Sequence, residues 1–446
     1  MDTGPQMPTP LRESQIEEVV LAMRREQRLR GARLREVLGE HLPKLELGAA
    51  DRRTIARRAY LMVQQERRVD FALDGALRGR NLSLERMEPL RYAATLLLGG
   101  IIDRDDAARR APRVDWGFVG EVDTRVAAIV DPDRRFALTW SMPDWFAARF
   151  RSEFGEEATA IAASLNIEPP LTLRANLLRA KDRDEVAARL AAEGIRTSPT
   201  RHAPHGLVVD GAISLFSSDA FKDGLFEQQD EASQLCCLLV APPPRGRVLD
   251  ACAGAGGKTL ALAAALGNRG DILAIDTHER RLQSLVERRR RAGTDNVRSQ
   301  LVSEDAWPAD VIAFAQRADR ILLDVPCSGV GSWRRRPDAR WTSTPSGLAE
   351  LRTTQATLLE RALGCLSPGA RLIYSTCTLF RDENEAQIET ALARDPGLEL
   401  VRVAEILGRE SATPLSDSSG TFLKLSPHRH GTDGFFAAVL RRRRVS

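Results

Sequence analysis

The six cysteines form no CxxC pair and lie near no histidine at zinc-binding spacing, which excludes a structural zinc module as the reason for their presence. No apolar run approaches the roughly 20 residues that a membrane-spanning helix needs. Residues 1–13 carry polar residues and prolines where a signal peptide has its apolar core. These absences lead to the expectation of a cytoplasmic protein in a reducing compartment, without membrane association and without a metal. Lysine is scarce as well. Lys44, Lys181, Lys222, Lys258 and Lys424 are its occurrences, and arginine supplies the rest of the 65 basic residues. The guanidinium fork suits phosphate oxygens. The net charge is only +4, however, so charge alone favours nucleic-acid binding no more than a plainly solvated surface.

A chain of 446 residues exceeds one ordinary core, so two or three domains are expected. After a flexible tail over 1–13, residues 14–150 read as helices. Apolar residues recur at three- and four-residue spacing through Ile16, Val19, Val20 and Met23, and again through Leu90, Ala93, Leu96 and Leu97. Residues 151–240 read as a small α+β module: Pro169-Pro170 breaks a helix and Leu171-Thr172-Leu173-Arg174-Ala175-Asn176 alternates like a strand. From 241 to 446 short apolar strands at 248–250, 272–276, 321–324 and 372–375 alternate with helical stretches. That pattern specifies an α/β fold, a parallel doubly wound sheet whose ligands gather at the carboxyl ends of the strands. Cys236, Cys237 and Cys365 lie in apolar helical runs and are expected in the core. The run 288–291, all arginine, reads as a solvated helix face. Arg334-Arg335-Arg336 follows the loop of Cys327, where phosphate binding is the favoured role; a further arginine run occupies 441–444.

The first strand end carries Asp250-Ala251-Cys252-Ala253-Gly254-Ala255-Gly256-Gly257-Lys258-Thr259. Its glycines let backbone approach a ligand closely. Asp276 ends the next strand, where a carboxylate can accept both ribose hydroxyls of an adenosyl group. A P-loop would need glycine at position 252, which is Cys252, so that reading fails on spacing. Asp250 also sits poorly beside a triphosphate and suits the cationic methionine end of S-adenosylmethionine.

Two thiols lie just after later strands, Cys327 in Asp324-Val325-Pro326-Cys327-Ser328-Gly329 and Cys377 in Ser375-Thr376-Cys377. Each alone reads most simply as a buried cysteine. Together at strand ends of one sheet they fit another chemistry. Carbon 5 of cytosine is a poor nucleophile until a thiolate adds at carbon 6, after which the ring can attack a sulfonium methyl group. Asp324 is placed to serve as the acid near ring nitrogen 3, and a second thiol can assist proton removal and release. The base must be unpaired or flipped out.

These motifs resemble the RsmB/Sun-type (NOL/NOP/Sun family) RNA cytosine-C5 methyltransferases. The family's glycine loop is echoed over 250–259 and its P-C-S-G signature at 326–329, followed by Arg335-Arg336-Pro337-Asp338 and Trp341. Its T-C signature is Thr376-Cys377 and its D-G-F-F ending falls at 433–436. The resemblance runs from about residue 141 to 440. It implies a Rossmann-type catalytic domain, preceded by an RNA-recognition-like module and a NusB-like helical domain. It implies that Cys377 is the nucleophile and Cys327 promotes release. It further implies cofactor contacts from Cys252, Ala253, Gly254, Ala255, Gly256, Gly257, Lys258, Asp276, Asp305 and Asp324. The expected partner is 16S ribosomal RNA, bound by a monomer; 23S or transfer RNA stays open, as does a non-catalytic assembly factor. One departure stands out. Gly254-Ala255 replaces the family's usual Ala-Pro, which makes the loop less rigid.

Overall fold

The computed structural model describes residues 11–77, 82–211 and 215–443. Residues 1–10 of the expected tail and Arg444 of the last arginine run lie outside the described residues. The chain divides into two units. One comprises Met1–Ile167 with Trp333–Thr342, the other Glu168–Ser332 with Ser343–Ser446.

Among its described residues the first unit is helical throughout. The helix Glu13–Arg30 buries Ile16, Val20 and Met23 along one stripe and stops at Gly31, whose φ of 58° is a left-handed cap that glycine adopts without strain. Asp131 starts the helix Pro132–Trp140 by accepting hydrogen bonds from the backbone of Asp133 and Arg134. Two apolar clusters form, one around Val20, Leu34, Ile55 and Met62 and one around Leu73, Ala94, Trp116 and Val119. The unit continues past residue 150, because the helix Asp144–Phe154 buries Phe146 and Phe150 against Phe136.

Residues 333–342, which follow the Cys327 loop in sequence, are built into this helical unit. Arg340 is 1% exposed. Its guanidinium donates to the carbonyls of Trp140 and Ser141, each at 3.2 Å, and to Asn166 Oδ1 at 3.0 Å. Trp341 Nε1 donates to Val63 O at 2.8 Å, and Asp338 Oδ2 accepts from the Leu34 amide at 3.1 Å. The Trp333 ring packs 4.3 Å from that of Phe146. Trp333, Asp338, Arg340 and Trp341, which flank the arginines 334–336, thus fasten this segment into the helical unit as a peg.

The second unit contains two sheets. Strands β1 (Thr172–Ala175), β2 (Thr197–Pro199), β3 (Gly206–Val209) and β4 (Phe226–Gln228) form an antiparallel sheet in the order β2-β3-β1-β4. The helix Arg183–Ala192, capped by Asp182, packs Val186 and Leu190 into its core. The larger, eight-stranded sheet has β5 (Arg247–Asp250), β6 (Asp271–Asp276), β7 (Val297–Leu301), β8 (Arg320–Asp324) and β9 (Arg371–Thr376), all parallel. It is completed by β10 (Leu398–Val401), β11 (Leu423–Leu425) and β12 (Phe435–Arg442). Strand β12 runs antiparallel to β9, β10 and β11, and the main path reads β10-β12-β9-β8-β5-β6-β7.

Successive side chains of a strand face opposite ways, and β5 shows what that achieves here. Val248 joins Leu235, Leu262 and Leu285 on one face, while Leu249 joins Val311, Phe314 and Leu359 on the other. Burying each such side chain contributes about 1.5–3 kcal/mol, and helices cover both faces. The order reverses at β5, from which the chain runs to β6 and β7 and then crosses back to β8. That switch point opens a crevice at the carboxyl ends of β5 and β8. The four strands expected from the sequence are parallel as read, and at one side the sheet is extended by the antiparallel β12. Arg441 and Arg442 of the last arginine run belong to this strand and pair with Glu399 and Asp395.

Candidate active site

The glycine loop leaves β5 and enters the helix Gly257–Ala265. Gly256 has φ of 82°, and a Cβ there would stand 2.1 Å from Leu285 Cδ1, so only glycine closes this turn. Gly254, with φ of 55°, faces open space instead. Its amide donates to Asp276 Oδ2 at 2.8 Å, which ties the loop to the end of β6; Asp276 Oδ1 accepts from the His278 amide at 2.8 Å. Asp250 is 1% exposed. One of its oxygens accepts from Thr259 Oγ1 at 2.6 Å, and the other, Oδ1, is buried without a hydrogen-bond partner. Burial pushes the Asp250 carboxyl up to about 6, with the Thr259 hydrogen bond opposing and the charge of Asp324 adding to the rise.

These features fit S-adenosylmethionine. The orphaned Asp250 oxygen matches a cationic ammonium group, and the bare face of Gly254 leaves room for a ligand against the backbone. The Asp276 oxygens retain lone pairs beyond the two amides they accept. Asp305 follows β7, is exposed, and has its backbone carbonyl held by Arg361 at 2.6 Å. Its side chain accepts from Ser303 Oγ at 3.5 Å.

A brace that the sequence reading missed holds the loop from behind. Arg288 Nη1 donates to Ala255 O at 2.8 Å, and its Nε and Nη2 reach Glu227 Oε2 of β4 at 3.0 and 2.8 Å. Glu227 is 2% exposed and is also paired with Arg291. In the run 288–291 only Arg290 is exposed, so the solvated face expected there is corrected. The alternation of strand and helix gave no means of seeing that β4 lies beside the helix Glu279–Ala292. The brace acts on the very residue that replaces the family's proline.

Beside this loop, Asp324 ends β8. Its Oδ2 accepts from Lys258 Nζ at 2.6 Å and its Oδ1 from Ser375 Oγ at 3.0 Å. Burial is the largest single influence on Lys258 and would lower its value; the charge of Asp324, the neighbouring Cys236 and Cys237 and the hydrogen bond to Asp324 together outweigh it, and the ammonium is held more firmly than usual. Lys258 also lies 5.2 Å from the centre of the Phe435 ring.

The two thiols meet. Cys327 Sγ and Cys377 Sγ are 3.5 Å apart, both partly buried, at the ends of the adjacent parallel strands β8 and β9. The hydrogen bond shared with Cys377, then burial, then the charges of Cys377 and Glu383 hold the Cys327 thiol well above its ordinary value. Burial raises Cys252 likewise, with Asp324, Asp250 and Asp276 adding to it, so this loop cysteine is an inert thiol. Cys236, Cys237 and Cys365 are buried as expected, and burial pushes Cys237 up to about 11. Glu383, which no motif in the sequence reading included, lies behind both cysteine loops.

A Rossmann-type sheet, a glycine loop and an acidic partner on the second strand define the class: an S-adenosylmethionine-dependent methyltransferase. The family description "16S rRNA methyltransferase RsmB/F" matches residues 237–441, and its ferredoxin-like domain matches residues 142–215. The chain belongs to this RsmB/F family. A Synechocystis protein named "Probable ribosomal RNA small subunit methyltransferase B" is 36% identical over 68% of this chain and 67% of its own length. The ribosomal RNA small subunit methyltransferase B of Pseudomonas syringae is 33% identical over 70% of this chain and 68% of its own. A methyltransferase homolog from Pyrococcus horikoshii shares the fold with a TM-score of 0.60 and 30% identity, covering 70% of this chain and 100% of that one. No helix of the described residues is long and apolar enough to cross a membrane.

Proposed function

We propose that the protein methylates carbon 5 of a cytosine in 16S ribosomal RNA, with Cys377 as nucleophile and Cys327 as the group that speeds release. The observation that carries this reading is the pair of sulfurs 3.5 Å apart on adjacent strand ends, beside a loop suited to S-adenosylmethionine. Cys377, as thiolate, adds to carbon 6 and pushes an electron pair onto carbon 5. S-adenosylmethionine, when bound, would supply the electrophilic methyl group to carbon 5 and leave as S-adenosylhomocysteine. The carbon-5 proton is then lost to solvent, the ring double bond re-forms and the carbon–sulfur bond to Cys377 breaks. Cys327 donates a hydrogen bond to the departing sulfur. Asp324 ends β8 three residues before Cys327 and pairs with Lys258 at 2.6 Å, and this lysine–aspartate pair would supply the donor for ring nitrogen 3 and the acceptor for the adjacent amino group. The target must be extruded or single-stranded to reach the thiols. The relatives named for small-subunit ribosomal RNA methylation support the choice of RNA.

The test is covalent capture. Cys327→Ala, incubated with S-adenosylmethionine and ribosomal RNA lacking the modification, is expected to leave RNA attached to protein in denaturant. Replacing Cys377 as well is expected to abolish the adduct. Sequencing the attached RNA locates the cytosine. Methylation by Cys377→Ser at the wild-type rate would refute the assignment.

A further inference from the structure

Glu383 sits in the short 3-10 turn Arg381–Glu383 and is 1% exposed. Its Oε2 accepts from the Ser328 amide at 2.8 Å and from Gln355 Nε2 at 3.0 Å. Its Oε1 accepts from Ser328 Oγ at 2.5 Å and from Thr378 Oγ1 at 3.1 Å. Every partner is a donor, the pattern an ionised carboxylate takes. Ser328 follows Cys327 and Thr378 follows Cys377, so one buried carboxylate grips both cysteine loops at the residue after each sulfur. Further bonds hold it in place. Gln355 Nε2 reaches back to Pro326 O at 2.9 Å, Tyr374 Oη donates to the Glu383 carbonyl at 2.6 Å, and the neighbouring Asn384 donates to Thr378 O at 3.2 Å.

We infer that Glu383 is the positioning residue of the two-thiol centre: it fastens the loop of Cys327 to that of Cys377 and keeps the proton on Cys327, leaving Cys377 to react. The physical cause is simple. Two like charges in one buried site are not both tolerated. A thiolate on Cys327 would stand beside the fixed charge of Glu383 and the second sulfur. The hydrogen bond with Cys377, just after β9, burial and the charge of Cys377 already hold the proton on Cys327; the charge of Glu383 on the turn adds to them, and Tyr374 beside these groups is itself held neutral by burial. The inference rests on the reading of Cys377 as nucleophile, and it explains why two sulfurs so close would not compete for the base.

The experiment reads the thiols directly. Full-length protein is treated with iodoacetamide across a pH range, and the alkylation rates at Cys327 and Cys377 are taken from peptide masses. In the wild type Cys377 is expected to react first. Glu383→Gln, which keeps the shape and removes the charge, is expected to raise the Cys327 rate about tenfold at a given pH, the change that one pKa unit produces. Thr378→Val, which removes one hydrogen bond and keeps the charge, is expected to leave the order and the Cys327 rate unchanged. A folded Glu383→Gln protein with an unaltered Cys327 rate overturns the inference. Should that variant fail to fold, the wild-type order decides, and Cys327 reacting before Cys377 overturns it equally. Methylation of RNA is measured separately. If labelling shifts as expected while wild-type protein methylates no RNA, the functional reading fails and the hold of Glu383 over the thiols stands.

Discussion

Removing the guanidinium of Arg288 separates cofactor binding from folding. In Arg288→Ala the Ala255 carbonyl loses its charged donor, and Glu227, 2% exposed, keeps only Arg291. A hydrogen bond to a charged group is worth about 1.5–3 kcal/mol. Part of that is recovered as the loop relaxes toward solvent, which leaves about 1–2 kcal/mol to appear as lost affinity for S-adenosylmethionine. Kd should therefore rise about 5- to 30-fold, measured by titration calorimetry on the free enzyme. The melting temperature should fall as well, because a buried carboxylate has lost a partner. The double variant Arg288→Ala with Glu227→Ala removes that uncompensated charge, so stability should partly return while affinity stays low. An Arg288→Ala protein that binds the cofactor as tightly as wild type would refute the brace. So would a double variant in which affinity recovers together with stability.

Asp250 predicts a pH dependence. Its folded value of about 6 lies above the ordinary 3.8, so its contribution to the stability of the free protein is full below pH 4 and is lost as pH rises through 6. A bound cation prefers the ionised form, so cofactor affinity should weaken as pH falls through about 6, approaching tenfold per pH unit; Asp250→Asn should bind weakly and flatly across that range. In the helical unit, Arg340→Ala strips the donor from the carbonyls of Trp140 and Ser141 and from Asn166. It should cost about 2–4 kcal/mol in thermal unfolding, and a melting temperature within a degree of wild type would refute the peg. In the catalytic core, Leu249→Ala should cost about 2–5 kcal/mol by chemical denaturation.

The sequence made the chemistry legible where it lay next to strand ends. Asp250, Asp276, Asp324, Cys327 and Cys377 each follow a short apolar run, and a parallel sheet must bring such positions to one edge. What it hid were partners set by packing rather than by spacing. Glu383 lies 55 residues from Ser328 and Arg288 lies 61 from Glu227, and each reads alone as a surface charge. Strand β12 was equally obscure as a neighbour of β9. Its register pairs Phe436 with Thr376, and nothing in either stretch names the other. Arg340 was hidden in the same way, since its spacing gives no sign that it is buried among the carbonyls of Trp140 and Ser141.

That place of β12 has a consequence for how the enzyme comes into being. The strand that carries Cys377 finds its second neighbour only in residues 435–442, long after its own synthesis. Until they emerge, β9 presents a bare row of amides and carbonyls on one side, and β10 has no place in the sheet. A growing chain thus holds Cys327 and Cys377 well before β9 has its second neighbour. Pairing of β12 with β9 completes the bed on which Thr376, the residue before Cys377, is held.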